Sequence, residues 1–195
     1  AQVGQGRASD AVATFKEVIQ FMLALREYGI EIHLIVGPSC WVLGKEYGLE
    51  WDEKQNRIRR FYNQLDEELN NEEIDVAIEL LRTEEDHVFE TVDQWAEVID
   101  DLSDDLSAGF GAHYDTFHIH KRGFDQVDAI ARLGDRIWHL HVNGSDRRPA
   151  GGDGDTMEWK RIIEALDEAG NKADIASNEP ICDWVRESCP TLGVG

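Results

Sequence analysis

Apolar positions along this chain alternate between two rhythms. Val12, Phe15, Val18, Ile19, Met22 and Leu25 return every three or four residues. That spacing predicts a helix capped by Ser9 or Asp10, ending near Tyr28 with Gly29 at its stop. The run IEIHLIVG over residues 30–37 is short, β-branched and closed by glycine, so it predicts a buried strand. The alternation then repeats. Helices are expected over residues 52–70 (Ile58, Phe61, Leu65 and Leu69 on one face), 86–102 (Val88, Val92, Trp95 and Ile99 inward), 123–133 and 155–170, the last capped by Asp155. Strands are expected at IDVAIELL, GFGAHYDTFH, RIWHLHV and ADIASNEP. The opening AQVGQGR has no periodicity and reads as the tail of a strand. The long segment after residue 37, with Trp41 and Trp51, reads either as a lid or as a loop packed onto the body.

Strands alternating with helices mean βαβ units and a parallel sheet. Five strands are predicted, whereas a closed (β/α)8 barrel needs eight and about 250 residues. The expectation is one domain over residues 1–195, α/β and of TIM-barrel type, incomplete, with about five of eight units present and the N-terminal ones missing. Neither GxGxxG nor GxxxxGK[ST] occurs between a strand and a helix, so dinucleotide-binding and P-loop readings have no support.

The strand ends carry the chemistry. One apolar run ends in Asp115 and His118, another in His139 and His141, and two more carry single acids, Glu79 and Glu179. Barrel active sites are built at C-terminal strand ends, so four such ends offering carboxylate or imidazole are the central observation. Gly151, Gly152 and Gly154 read as a flexible turn. The acidic run Asp100, Asp101, Asp104 and Asp105 reads as a solvated helix end.

Charge narrows the partners. With 19 Lys+Arg against 40 Asp+Glu, the net charge is -21, which repels phosphate backbones and anionic membranes. High acid content with little Lys fits either a salt-loving source or an ordinary acidic protein. Cys40, Cys182 and Cys189 show no CxxC spacing and read as reduced cytoplasmic thiols. No stretch reaches the roughly 18 apolar residues of a membrane span, and residues 1–10 do not read as a signal peptide. A cytoplasmic location is expected.

The segments VAIELLRTEE, YDTFHIH, HLHVNGSDRRPAGGDGDTMEW and SNEP, in that order, resemble the xylose-isomerase-like barrel superfamily of sugar isomerases and epimerases, with the ketose 3-epimerases of the D-tagatose and D-psicose type as the nearest likeness. The resemblance spans residues 25–195 and is most specific over residues 114–159. It implies a divalent cation, commonly Mn2+ with Mg2+ or Co2+ as alternatives, held by Glu79, Asp115, His141 and Glu179. It further implies that Glu79 and Glu179 act as the acid/base pair and that His118, Arg147 and Glu85 contact a sugar. Two departures affect the sugar. An Asn-Arg pair usual in the family is Leu80-Leu81 and its neighbours here, and Gly144 stands where some members carry a carboxylate.

That chemistry suits these residue types. Epimerisation beside a ketone removes a C–H proton and returns one on the other face, which calls for two bases on opposite sides. Three carboxylates and one imidazole favour Mn2+ or Mg2+ over structural zinc. His139 is expected to point away from His141 and to be packed and hydrogen-bonded, while His113 and His120 are expected to be structural or exposed. Competing readings are a dehydratase or aldose–ketose isomerase on the same scaffold, and a truncated barrel without turnover whose open strand edges drive homo-oligomerisation. An abasic-site endonuclease is disfavoured by the charge.

Overall fold

The structure is a computed structural model describing residues 3–37, 48–83, 88–170, 173 and 176–177, with the side chains of 3–10 and 176 left out of the description. Two compact units divide the chain, residues 1–112 and 113–195.

The first unit holds α1 (Val3–Arg26), β1 (Leu34–Gly37), α2 (Trp51–Asn63), α3 (Asp66–Asn71), β2 (Asp75–Glu79) and α4 (Val92–Asp105). It ends within β3 (Phe110–Asp115), which crosses the division. Strand order here is β1-β2-β3, with β1 and β2 parallel and Val36 opposite Ala77. The core collects edge-to-face rings: Phe61 lies 5.0 Å from Tyr62, and Tyr62 5.1 Å from Phe110. Gly37 ends β1 against this cluster. A Cβ there would overlap both the Tyr62 hydroxyl and Val76 Cγ1, so only glycine fits.

Several expectations change. Helix α1 begins at Val3, so residues 3–7 are helical and not the tail of a strand. Its buried face is Ala11, Phe15, Ile19 and Met22; Val18 lies off it and is exposed. β1 starts only at Leu34 and is half-buried, with Val36 exposed. The helix expected over residues 52–70 breaks between Asn63 and Asp66, where Gln64 and Leu65 donate to carbonyls three residues back and tighten the turn. The break frees the Asp66 carboxylate to accept the N–H groups of Ser107 and Ala108. All four apolar residues predicted for that helix remain buried.

Helix α4 starts later than predicted, at Val92. Thr91 caps it by accepting from Gln94 N, and the Gln94 amide oxygen accepts from Glu90 N. Trp95 on its buried face donates to the Ile78 carbonyl at 3.0 Å, which fixes α4 against β2. The acidic run lies on α4, where Arg59 bridges Asp101 and Asp105 at the surface.

The second unit holds the end of β3, then α5 (Thr116–Lys121), α6 (Gln126–Leu133), a 3-10 turn (Gly134–Arg136), β4 (Ile137–His141), α7 (Trp159–Glu168) and β5 (Ala176–Ser177). Strand order is β3-β4-β5, with β4 and β5 parallel. The strand predicted through GFGAHYDTFH stops at Asp115, because that residue caps a helix that already includes Thr116, Phe117 and His118. Asp155 does not cap α7; Glu158 occupies the cap position. Among the described residues, no helix is long and apolar enough to cross a membrane.

Candidate metal centre

Asp115 ends β3, is 1% exposed, and starts α5 by accepting from Phe117 N at 2.8 Å. That turn places His118 back over the strand end, with Nε2 3.8 Å from Asp115 Oδ2. From the end of β4, His141 brings Nδ1 to 3.7 Å from the same oxygen. One carboxylate oxygen therefore faces two imidazole nitrogens at separations close to those of ligands sharing one ion, since 2.0–2.2 Å bonds put neighbouring donors about 3 Å apart. Each pair, one carboxylate oxygen with one imidazole nitrogen, is of the type that holds a divalent cation.

Two residues that the sequence pattern does not single out hold this arrangement. Asn143, fully buried, donates its side-chain amide to both Asp115 oxygens. Thr116 donates from Oγ1 to the Asn143 carbonyl at 2.7 Å and accepts from Asn143 N at 2.9 Å, which ties the start of α5 to the end of β4. A polar residue two past a strand-end histidine is the one available signal. Burial pushes the Asp115 carboxyl up, but hydrogen bonding to His141, the charge of His118, Phe117 N–H and the Asn143 amide outweigh it and hold the group below the usual carboxylate range.

His139 does not point away from His141. Residues two apart on a strand share a face, and the two rings lie 5.3 Å apart. His113, two residues before Asp115 and 1% exposed, completes the group at 4.8 Å from His139 and 4.0 Å from His141. Burial, then the neighbouring His141 and His139, pushes the His113 imidazole down to about 2, so it is neutral. His139 is lowered by burial and by His141.

Arg147 sits in the loop after β4 with φ 64°, and its guanidinium lies 5.1 Å from the centroid of the Phe117 ring. The loop is organised by Asp155, whose carboxylate accepts from Ser145 N, Gly151 N, Met157 N and the Trp159 indole. These donors hold its pKa low despite the opposing effect of burial. They also explain why Asp155 is unavailable as a helix cap.

Of the residues implied by the resemblance, Asp115, His118 and His141 are brought together in the second unit, with Arg147 on the loop that follows. Glu79 ends β2 in the first unit and is half-buried. Glu85 and Glu179 lie outside the described residues.

Strands β3 and β4 end in Asp115 and His141, and (β/α) barrels build their active sites at the C-terminal ends of their strands. The chain belongs to the xylose isomerase-like TIM barrel family, whose model matches residues 4–187. It is 28% identical over 141 residues to a D-psicose 3-epimerase of Enterocloster bolteae, covering 70% of this chain and 44% of that protein. Among solved structures, a D-psicose 3-epimerase crystallised in the presence of D-fructose matches with TM-score 0.62 and 24% identity, over 75% of this chain and 50% of that one. An AP endonuclease, family 2, from Brucella melitensis matches with TM-score 0.70 and 13% identity, over 90% of this chain and 64% of that one. The two structural likenesses are ones of fold. The chain spans about half the length of the epimerases it matches.

Proposed function

We propose that this chain is the metal-binding part of a ketose 3-epimerase. The approach of His118 and of His141 to Asp115, at the ends of β3 and β4, carries the reading, and the likeness to a D-psicose 3-epimerase supports it. On this reading Glu79, Asp115, His141 and Glu179 hold a divalent cation, Mn2+ before Mg2+ or Co2+. When bound, the cation supplies Lewis-acid stabilisation of negative charge on the sugar oxygens. Glu79 and Glu179 take the C3 proton from one face and return one to the other, through an enediolate. His118 and Arg147 orient the O1/O2 end and share its charge, with Glu85 as a further sugar contact.

The test is incubation of ketohexoses with the Mn2+-loaded chain in D2O. Deuterium at C3 together with the C3 epimer supports the reading, and Glu79→Gln and Glu179→Gln should each abolish both. Deuterium at C1 or C2 with an aldose product would assign an aldose–ketose isomerase, and loss of water a dehydratase. Metal binding without turnover would assign a non-catalytic chain.

We place this protein in the cytoplasm and propose that it forms homo-oligomers. Phe21, Tyr28 and Ile30 of the first unit remain exposed at 63%, 81% and 50%, and association would cover them. A single monomeric mass in light scattering would remove that part of the proposal.

A further inference from the structure

We propose that His113, His139 and His141 form a second, all-imidazole site that takes a borderline divalent cation of the Zn2+ class. The three rings meet edge to face at 4.0–5.3 Å between centroids. One nitrogen from each lies within 4.8 Å of the other two. Strand periodicity builds the group: His113 is one step along β3 from Asp115, and His139 one step along β4 from His141. The first pair therefore forms a layer beneath the second.

Donor chemistry separates this set from the strand-end set. Manganese and magnesium are hard ions served by carboxylate and carbonyl oxygen, whereas Zn2+, Co2+ and Ni2+ accept imidazole readily. Three histidines with one open position is an established zinc arrangement. Tetrahedral bonds of 2.0–2.1 Å put ligand nitrogens about 3.3 Å apart, so the rings need to close by at most about 1.5 Å. An apolar side chain at position 113 would fill this core without the desolvation cost of an imidazole, and a ligand role accounts for the choice.

His141 is common to both sets. Where the epimerase reading above holds, a Zn2+ ion on the imidazole trio withdraws His141 from the Mn2+ set, so the trio makes the enzyme sensitive to inhibition by zinc. That consequence rests on the epimerase reading; the site itself does not.

Metal titration of the chelator-stripped chain, with no sugar present, tests the site. Zn2+ and Mn2+ are titrated separately by calorimetry, and Zn2+ coordination is read from the 15N shifts of labelled imidazoles. His139→Gln and His113→Leu are each expected to weaken Zn2+ by upward of ~100-fold and to leave Mn2+ affinity unchanged. Asp115→Asn should weaken Mn2+ more than Zn2+. The spectrum with Zn2+ should show three imidazoles shifted together. Should His113→Leu fail to fold, His139→Gln at its half-buried position decides alone. Unchanged Zn2+ affinity in His139→Gln, or an equal fall for both metals, overturns the site. Absence of ketose turnover would sink the epimerase reading and leave these titrations intact.

Discussion

Asn143 donates its side-chain amide to both carboxylate oxygens of Asp115, at 3.3 Å to Oδ1 and 3.2 Å to Oδ2. With Phe117 N also bound to Oδ1, the carboxylate cannot rotate, and Oδ2 is held facing His118 and His141. Residues that orient a ligand typically change metal affinity by 10–100-fold when removed. Asn143→Ala should weaken Mn2+ binding by about that factor. It should also lower stability by roughly 1–3 kcal/mol, because a buried charged acceptor loses its donor. Calorimetric titration and denaturant unfolding measure the two effects. Intact Mn2+ affinity would refute the orienting role.

Asp115 itself gives a more direct test. If it is a ligand, Mn2+ should raise the melting temperature of the chain in a concentration-dependent way, since a ligand bound only by the folded state stabilises it. Asp115→Asn should remove most of that rise. An equal rise in the variant would take Asp115 out of the ligand set.

The His113 imidazole gives a pH dependence. Its folded value is lowered to about 2 by burial and by the two neighbouring histidines, against about 6.5 for an unfolded histidine. A depressed folded value means that the unfolded chain binds the extra proton. The stabilising contribution is therefore full above pH 6.5 and is lost as pH falls toward the folded value. Between pH 6.5 and 5 the metal-free chain should lose on the order of 1–2 kcal/mol from this group. Denaturant melts of the chain and of His113→Leu at both pH values test it, the variant showing the smaller slope.

Gly37 has no room for a side chain, because the Tyr62 hydroxyl and Val76 Cγ1 already occupy the space that a methyl group would need. Gly37→Ala should destabilise the first unit by about 1–3 kcal/mol, the usual cost of overpacking. Adding Tyr62→Phe should restore part of the loss, and a double-mutant cycle in urea would show it. Simple additivity would mean that the strand end moves instead.

Asp155→Ala should disorder the loop from Ser145 to Met157, since four donors lose their acceptor at once. Amide exchange at Ser145, Gly151 and Met157 should rise sharply. Mn2+ affinity should hold, while on the epimerase reading ketose affinity should fall through Arg147. Protected amides in the variant would show that the loop does not depend on this carboxylate.

Much of this arrangement is legible in local pattern. Asp115 and His141 are the last residues of β3 and β4, as an apolar run ending in a ligand-type residue predicts. The departures have physical causes. His139 lies beside His141 because neighbouring strand positions, not alternate ones, diverge. Thr116–His118 carries the pattern of a strand yet forms a helix, since nothing local says that Asp115 uses its carboxylate as a cap. Asn143 and Asp155 are hidden for a related reason. The Asn143 partner, Asp115, lies 28 residues away, beyond the reach of any periodicity, and the Asp155 carboxylate gathers donors on both sides of it, from Ser145 to Trp159, where a helix cap would use only those that follow.

At Gly144 a Cβ would lie 2.9 Å from the Asp155 carboxylate. Any longer side chain would bring its bulk, and an acid its charge, against the group that knits the loop together. The two positions are thus epistatic. An acid is expected to be tolerated at position 144 only in a background where position 155 has already changed, so this loop can be re-engineered along one order of substitutions and not the other.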